Sequence, residues 1–548
     1  MIKLFSKNIY IYVIIFLIFL IGIYTYKDYG VGIEEHFHRK SGFYWLNFLL
    51  NFTDFEFIKK TTEIKLEEIK NFTPRLFPIE NFGFYGILFD VPLAFIEVFF
   101  EINEPKNYFY LRHFSVFMLF LTSAFLFYKI ILFRFNNVYL ALFGFLIFVF
   151  TPRIYGNIFF DNKDIFYLSI LTINMFFFVR YLNNKTSLNL IFFSIFCAFS
   201  TSSRIIGLLI PVSFFFILFF EYLSFRKSNF FFKKIFIFLL SYLVALIIHW
   251  PYLWTLNIHT LHNFFDPFFY AMNPVVYFNG DFFQSKYLPY SYLPIWIFIS
   301  TPVFLFFLFI FGFFSCFRRI FFRLISIKEE AKIISNDLWK SKNENFDVYI
   351  SILFLLNIMI YFSINPALLS GWRHFYFLNF FMVFFACYFI NAVNLKSKKK
   401  PFFKIFLFIL FFFSSFTIYD LYKYHPFQSV YFNKLVSDIK KNQFEIDTQS
   451  LSRVHAIKEL LKEDGELIIG TASWTPLEDA RSMISKKHWE RLNFVGTEFE
   501  KANFIYSNYY YEVNTNYNKK YVIPQNFSLY KTLIIDGTRI YSIYKKNI

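Results

Sequence analysis

The chain alternates between long runs of apolar residues and short polar segments. Twelve apolar runs are present, near residues 9–26, 84–101, 109–133, 138–151, 165–182, 188–203, 205–223, 234–250, 294–317, 347–363, 372–392 and 402–419. A helix of about 20 apolar residues spans the hydrocarbon core of a bilayer, and most of these runs approach that length. The pattern predicts a polytopic α-helical membrane protein.

The distribution of lysine and arginine tests how many runs cross the membrane. Suppose that Lys3 and Lys7 lie in the cytoplasm and that all twelve runs cross. Three cation-rich loops would then face outwards, although short cationic loops prefer the cytoplasm. These loops are residues 224–235, 318–346 and 393–404. Removing one early run from the count returns all three loops to the cytoplasmic side.

The run at residues 84–101 is the one that we expect not to cross. It contains Asp90, Pro92 and Glu97, and a carboxylate at the bilayer centre is costly. We predict an interfacial or re-entrant helix on the outer face instead. About eleven spans remain, with the N-terminus in the cytoplasm and the C-terminus outside.

This topology brings several polar loops to the same side of the membrane. The loops that face outwards are residues 27–108, 151–164, 251–293 and 364–371. The opposite side carries few polar residues other than cations. We therefore expect any chemistry to take place on the outer face.

The sequence changes character after the last apolar run. Residues 445–465 have helical periodicity, and GELIIGTAS and ANFIYSNYYY have the composition of strands. KTLIIDGTRIYSIYK predicts a hairpin that turns at Asp536-Gly537. We predict a transmembrane unit at residues 1–419 and a small α/β domain at residues 420–548, outside the membrane.

Composition narrows the class of protein further. Of the 548 residues, 57% are hydrophobic, which excludes an ordinary soluble domain. The net charge of +17 would suit nucleic acid, but the cations cluster in short loops such as KSKKK at 396–400, so the charge reports topology. Cys197, Cys316 and Cys387 lie singly in apolar runs, which predicts buried free thiols and neither a zinc site nor a disulfide framework.

Two adjacent carboxylates, Glu34 and Glu35, follow the first apolar run. Neighbouring side chains point in different directions, so at most one of them faces a given site. A carboxylate at the membrane edge could act as a general base for an acceptor hydroxyl, with its pKa raised by partial burial. Alternatively, both are solvated charges paired with nearby cations. Three residues of the same loop are candidates to support the base: His36, His38 and Arg39.

The segment TPRIYGNIFFDNKD at residues 151–164 places two acids and a cation directly before a span. Asp161, Lys163 and Asp164 could bind a metal-bridged diphosphate or orient a phosphate group. The alternative is that Asp161 or Asp164 caps the N-terminus of the following helix.

Arginines at the outer ends of predicted spans are candidates to bind phosphate. They are Arg112, Arg204 and Arg373, the last followed by His374. An arginine at an apolar helix end is expensive without an anionic partner, and its fork matches phosphate geometry. The alternative is an arginine that extends to the interface.

The outer loop at residues 251–293 ends in KYLPYSYLP, which is rich in aromatic residues and proline. Tyr287, Pro289, Tyr290 and Tyr292 suit an ordered loop that packs against a sugar or a prenyl chain. An aromatic belt at the membrane interface is the alternative for the tyrosines.

In these features the chain resembles the GT-C glycosyltransferases that use polyprenyl-phosphate sugars, such as protein O-mannosyltransferases and lipid A aminoarabinose transferases. The resemblance covers roughly residues 9 to 435. It rests first on the acidic pair Glu34-Glu35 in the first outer loop, on the later acidic loop IYGNIFFDNKD, and on the basic residue Arg204 that opens a span. It rests also on three further segments: the KYLPYSYLP loop, GWRHFYFLNFF and HPFQSVYFNKLV. One departure is that Glu34 stands where the family usually has Asp.

The resemblance implies a GT-C-like fold and a role for several residues. Glu34 would be the base, with Glu35 as the other candidate, and Lys163, Arg204 and Arg373 would bind the donor phosphate. No cofactor is certain. Asp161 and Asp164 leave room for a divalent ion, Mg²⁺ or Mn²⁺.

These observations favour an integral-membrane glycosyltransferase of the cell inner membrane. It would move a sugar from a polyprenyl-phosphate donor to a hydroxyl of a lipid, glycan or protein acceptor on the outer face, with inversion and with help from a carboxylate. Its partners would be that donor and the bilayer, and not nucleic acid. Two alternatives stay open: a lipid-linked oligosaccharide flippase or carrier, and an envelope polysaccharide polymerase.

Overall fold

Helices form most of the chain in a computed structural model, which describes residues 2–72, 83, 85–225, 228–255, 273–329, 341–397, 401–509 and 519–547. The α-helices are α1 (Ile2–Thr25), α2 (Glu35–Leu50), α3 (Glu56–Phe72), α4 (Asp90–Phe99), α5 (Pro105–Phe135), α6 (Val138–Phe150), α7 (Pro152–Asn157), α8 (Asp164–Asn183), α9 (Ser187–Ser203), α10 (Leu209–Phe225), α11 (Ser228–His249), α12 (Tyr252–Thr255), α13 (Tyr292–Ser300), α14 (Val303–Glu329), α15 (Lys342–Ile364), α16 (Leu378–Ser397), α17 (Pro401–Lys423), α18 (Asp438–Lys441) and α19 (Ser452–Leu460).

The predicted polytopic membrane architecture is confirmed. Among the described residues, eight helical segments are long and apolar enough to cross a membrane: Pro105–Phe135, Asp164–Asn183, Ile205–Tyr222, Phe231–His249, Val303–Arg323, Lys342–Ile364, Leu378–Leu395 and Phe403–Lys423. Three shorter apolar helices coincide with other predicted spans: Ile9–Thr25, Val138–Phe150 and Ser187–Ser203. Together the two sets match the runs that remain once residues 84–101 are set aside.

In the described part of the run at residues 84–101, which begins at residue 85, the one α-helix is the 10-residue α4. At about 1.5 Å per residue such a helix is roughly 15 Å long, half the thickness of the hydrocarbon core. Its acids face protein rather than lipid, because Asp90 pairs with His38 at 2.9 Å and Glu97 is fully buried. The run therefore packs beside α2 and contains a helix too short to span the hydrocarbon core, so its position at the outer face stays a prediction.

The predicted span at residues 294–317 is divided into two helices. Helix α13 ends at Ser300, and α14 begins at Val303 because Pro302 has no backbone N–H to continue the ladder. The freed carbonyls find a partner in Asn433, whose side chain donates to Phe298 at 2.5 Å and to Thr301 at 3.0 Å. A residue beyond the last span thus supports the break.

The strands of the described residues lie in two sheets. Strands β1 (Val275–Phe278) and β2 (Asp281–Gln284) form a hairpin in the loop at 251–293, of which residues 256–272 lie outside the described residues. The other strands are β3 (Leu467–Ala472), β4 (Leu492–Gly496), β5 (Phe504–Ser507), β6 (Phe527–Ile535) and β7 (Thr538–Lys546). They form one sheet in the order β4-β3-β5-β7-β6, in which β3 is parallel to β4 and β5 and the remaining pairs are antiparallel.

The predicted C-terminal hairpin is present, with Asp536 and Gly537 both at positive φ in its turn. The predicted helix at 445–465 is shorter than expected and covers only Ser452–Leu460. Its start is delayed because the Asp447 carboxylate accepts hydrogen bonds from the Leu451 and Ser452 amides at 3.0 and 3.1 Å. Residues 445–451 form an irregular segment instead.

The C-terminal sheet is held against the helix bundle by the β6–β7 turn. The Asp536 carboxylate pairs with Lys423 at the end of α17, and with Lys434 and Lys441 at 3.1 and 3.4 Å. Several cations on one carboxylate hold its pKa far below the usual range, although burial opposes this effect. The sheet therefore sits at the end of the bundle where α17 ends. The boundary at residue 419 stays a prediction.

Candidate active site

The two adjacent glutamates have different partners, although both border the same small pocket. Glu35 turns into the protein, where it accepts a hydrogen bond from the Gly32 amide at 2.6 Å and pairs with His113 at 3.0 Å. Glu34, directly before α2, instead meets Arg373 and Lys163, the latter at 3.8 Å. Glu35 therefore fixes the loop, and Glu34 is the carboxylate that faces other candidate site residues.

Five charged side chains from four parts of the chain form a continuous cluster, which we call the Glu34 cluster. Its members in order of contact are Lys163, Glu34, Arg373, Asp164 and Arg204. Arg373 lies between the two carboxylates, and Arg204 pairs with the other side of Asp164. Lys163 also lies over the Tyr85 ring at 4.3 Å. The cluster holds three cations and two carboxylates.

The helix bundle brings these residues together because of the direction of its helices. Helix α9 ends directly before Arg204, whereas α8 begins at Asp164 and α16 begins just after Arg373. Four short parts of the chain, each next to the end of a predicted span, therefore meet at one end of the bundle, which we call the loop end.

The pKa of the Glu34 carboxyl differs from the sequence-based expectation. Burial alone would raise it, but the positive charges of Arg373 and Lys163 outweigh burial and hold the pKa well below its usual range. Glu34 is consequently ionised at neutral pH, and its affinity for a proton is low while both cations remain beside it.

Asp161 adopts the capping role that was the alternative for this segment. Its Oδ1 accepts hydrogen bonds from the Lys163 and Asp164 amides at 3.1 and 2.7 Å, at the start of α8. The buried Oδ2 finds no hydrogen-bond partner among the described residues. Burial and the nearby Glu34 charge raise the pKa of Asp161.

Asp161 and Asp164 do not gather a set of metal ligands. In the described part of the chain, no three His, Cys, Asp or Glu side chains are grouped to hold a metal ion. Asp164 is paired with Arg204 and Arg373 instead. A role for Mg²⁺ or Mn²⁺ stays a prediction.

His374 lies beside the cluster but adds no charge to it. Burial and the neighbouring Arg204 and Arg373 charges hold the pKa of its imidazole well below the usual range. A neutral imidazole can offer one N–H donor to a phosphate oxygen but supplies no positive charge.

Arg112 does not belong to the Glu34 cluster and pairs with a different carboxylate. Its buried guanidinium pairs with Glu97, whose other oxygen accepts a hydrogen bond from Arg39 at 3.0 Å. We call Glu97, Arg39 and Arg112 the Glu97 cluster; it ties α4 to α2 and α5. The structure thus separates Arg112 from Lys163, Arg204 and Arg373, with which the sequence pattern grouped it.

The predicted substrate loop divides into an exposed part and a buried part. Tyr287 and Tyr290 are 72% and 55% exposed, and Pro289 accepts a backbone hydrogen bond from Tyr292 at 2.9 Å. Tyr292 is fully buried and donates its hydroxyl to Glu445 at 2.9 Å. Only the first part of this loop is therefore free to meet a ligand.

Two residues from the segment at 445–451 reach the site and were missed in the sequence. Glu445 accepts hydrogen bonds from Tyr292 and, at 2.6 Å, from the Gly371 amide two residues before Arg373. Burial raises the pKa of Glu445 to about 7. Gln449 lines a small pocket between the charged groups, whose other lining residues are Gly32, Glu34, Glu35, Phe160, Asp161, Asn162 and Arg373. A helix predicted over 445–465 gave no reason to single out either residue.

Comparison with known proteins gives a distant structural likeness. No protein-family model and no curated protein matches the chain. It is similar to ArnT from Cupriavidus metallidurans bound to undecaprenyl phosphate, with 9% identity and a TM-score of 0.47 over 98% of each chain. It is also similar to apo ArnT from the same organism, with 9% identity and a TM-score of 0.41 over 79% of this chain and 83% of that one. A likeness this distant transfers neither an activity nor a ligand to this chain.

Proposed function

We propose that this protein is an integral-membrane glycosyltransferase that moves a sugar from a polyprenyl-phosphate donor to an acceptor hydroxyl. The observation that carries the proposal is the Glu34 cluster, in which one partly accessible carboxylate lies against cations at the end of a membrane-spanning bundle. Glycosyl transfer needs a base and a set of cations at one place. The base takes the proton that leaves the acceptor, and the cations stabilise the negative charge that builds on the departing phosphate.

Arg373, Lys163 and Arg204 are the groups that would bind the donor phosphate. An arginine offers two parallel N–H donors to phosphate oxygens, and a buried arginine is weakly hydrated and therefore ready to bind. Arg373 is only 3% exposed yet borders the pocket. The phosphate would sit at the loop end, with the prenyl chain passing between helices into the bilayer.

Donor binding would also change the basicity of Glu34. In the free protein, Arg373 and Lys163 hold the Glu34 pKa low. A bound phosphate competes for the same two cations, and Glu34 regains affinity for a proton as their charge is shared. The base would thus become competent when the donor is in place.

The reaction balances with these groups alone. The acceptor oxygen attacks the anomeric carbon and a new C–O bond forms, while the bond from that carbon to the phosphate oxygen breaks. The acceptor proton passes to Glu34, and the electron pair leaves with the polyprenyl phosphate, where the cations stabilise it. Attack opposite the leaving group inverts the anomeric configuration. No step requires Asp161 or Asp164 to hold a metal.

The remaining sequence expectations belong to the same proposal. The loop end would face outwards from the cell inner membrane, with the N-terminus in the cytoplasm and residues 420–548 as the extracytoplasmic domain. A flippase or carrier is less well supported, since transporters place ionisable residues near mid-membrane and the Glu34 cluster lies at helix ends.

Mass spectrometry of cellular glycolipids and glycoproteins, with and without the protein, tests the proposal. We expect a sugar-bearing species to disappear on deletion and to return with wild-type protein. It should not return with Glu34→Gln, because loss of a general base lowers the rate roughly 10²- to 10⁴-fold. Glu63→Gln, at an exposed position on α3, is the matched control and should restore the product.

Full product formation by Glu34→Gln would refute the assignment of the base, and unchanged glycans on deletion would refute the function. Chelator treatment of membranes, followed by Mg²⁺ or Mn²⁺, tests the divalent-ion prediction separately.

A further inference from the structure

The segment at residues 445–453 connects the C-terminal sheet to the candidate active site at three points. Glu445 holds the loop before Arg373, Gln449 lines the pocket, and Arg453 donates to the Val31 carbonyl at 3.2 Å, three residues before Glu34. The C-terminal region is therefore in contact with the site and not a separate attachment.

Gln449 is the member of this segment that is available to a ligand. It is only 7% exposed, yet within the described part of the chain its side-chain amide makes no hydrogen bond. Because no group in this part of the chain occupies it, the amide is available to a ligand. Gln449 borders the small pocket, which has room for a group about the size of a water molecule, such as a ligand hydroxyl.

The segment presents Gln449 in a fixed position. Asp447 accepts hydrogen bonds from two amides that follow Gln449, and the Ser450 hydroxyl lies 2.6 Å from that of Thr475. The loop that carries Glu34 packs closely against this segment, since a Cβ on Gly30 would lie 2.6 Å from the Leu451 carbonyl oxygen. Only glycine allows the Glu34 loop to approach this segment so closely.

The position of the pocket indicates which part of a substrate would meet Gln449. Glu34 and Arg373 border the same pocket, and in the proposed reaction they bind the acceptor proton and the donor phosphate. The transferred sugar lies between those two groups, because its anomeric carbon is bonded to the phosphate oxygen and attacked by the acceptor. A carboxamide both donates and accepts hydrogen bonds, which suits a sugar hydroxyl.

We propose that Gln449 is a substrate-binding residue that hydrogen-bonds a hydroxyl of the transferred sugar, so that the C-terminal region contributes to recognition of the donor's sugar. This inference rests on the proposed glycosyltransferase function. Loss of such a bond leaves a buried group unpaired in the complex and lowers transfer roughly 10- to 100-fold. It leaves binding of a sugar-free polyprenyl phosphate unchanged.

Gln449→Met tests the inference, because methionine fills a similar volume without hydrogen-bonding groups. Gln443→Met is the matched control: Gln443 lies on the same stretch of chain and contacts the β1–β2 turn through its backbone carbonyl. For each purified variant, binding of undecaprenyl phosphate is measured by native mass spectrometry and unfolding by thermal melting. Product in complemented deletion cells is measured by mass spectrometry.

We expect Gln449→Met to melt like wild type, to bind undecaprenyl phosphate within twofold of wild type, and to lose most of the product. Product within twofold of wild type would overturn the inference. Loss of undecaprenyl phosphate binding would overturn it too, since Gln449 would then serve the phosphate or the fold. If Gln449→Met unfolds, Gln449→Asn replaces it; an amide set back by one methylene should reduce product and leave undecaprenyl phosphate binding intact.

The controls separate this inference from the proposed function. Loss of product in Glu34→Gln, together with normal product in Gln449→Met, refutes only the role of Gln449. Normal product in both variants refutes the assignment of Glu34 as the base as well, and unchanged glycans on deletion of the protein refute the proposed function.

Discussion

Two carboxylates at the loop end of the bundle have the same local chemistry and different surroundings. Glu97 is held by Arg39 and Arg112, and Glu34 by Arg373 and Lys163. The Glu97 side chain is 0% exposed, whereas that of Glu34 is 25% exposed and borders a pocket. The first pair of cations is enclosed together with its carboxylate, whereas the second pair can exchange its carboxylate for a ligand.

This difference shows why a buried ion pair is weak evidence for function. A sealed cluster such as that of Glu97 orients helices and excludes ligands. An open cluster such as that of Glu34 keeps charged groups positioned until a substrate replaces one of the partners. The Glu34 cluster differs from the Glu97 cluster in that its cations can exchange the carboxylate for a ligand, and substitutions can test this difference.

The largest expected effect on stability is at the sealed cluster. Glu97→Gln removes the negative charge between two buried guanidinium groups, and breaking a buried pair in this way costs about 3–5 kcal/mol. We expect a clearly lower melting temperature, with transfer per folded molecule close to wild type. Thermal melting in detergent and product per folded molecule measure the two quantities. A stable Glu97→Gln protein that makes no product would show that Glu97 serves the reaction and not the fold.

A smaller effect is expected on ligand binding at the open cluster. Arg373→Gln should weaken the affinity for undecaprenyl phosphate roughly 10- to 100-fold, because charge-assisted hydrogen bonds contribute about 1.5–3 kcal/mol. Native mass spectrometry with a titration of the lipid gives the affinity. Arg318→Gln, at an exposed position far along α14 from its start, serves as the control and should bind normally. Equal affinity in wild type and Arg373→Gln would remove Arg373 from the phosphate site.

The smallest effect concerns Glu445, which positions the Arg373 loop. Burial raises its pKa to about 7. At pH values between the pKa of the unfolded protein and 7, Glu445 is therefore protonated in the folded protein and ionised in the unfolded protein. Stability from this group is therefore full at low pH and falls as pH rises towards 7. Glu445→Gln keeps the oxygen that accepts from Gly371 and removes the titration.

We expect the melting temperature of wild type, relative to Glu445→Gln, to fall by a few degrees between pH 5 and pH 8. A difference that stays constant across this range would show that Glu445 does not titrate there.

The fold was largely predictable because membrane insertion imposes strong and simple constraints. Apolar length predicts the spans, and the positive-inside preference indicated that one early run does not cross. The cost of placing Asp90 and Glu97 in the bilayer singled out residues 84–101. The hairpin at Asp536-Gly537 follows from local turn chemistry. The break at Pro302 and the late start of α19 depend on Asn433 and Asp447, which are tertiary or capping partners that apolar periodicity does not register.

The site was predictable in part. Sequence position brings Glu34, Lys163, Arg204 and Arg373 to one end of the bundle, since each adjoins the end of a span. The same argument grouped Arg112 with them, because nothing in the sequence says that Glu97 lies beside it. The low pKa of Glu34 was also missed, since it arises from a contact with a residue 339 positions away.

The exchange of Arg373 between Glu34 and phosphate is the central claim, and the affinity of Glu34→Gln for undecaprenyl phosphate tests it most directly. Without the Glu34 carboxylate, Arg373 and Lys163 no longer have to exchange it for the lipid phosphate, and Arg373 keeps its pair with Asp164. We predict that Glu34→Gln binds undecaprenyl phosphate about tenfold more tightly than wild type, a gain of about 1.4 kcal/mol, while its transfer is lost. Unchanged or weaker binding by Glu34→Gln would contradict the account.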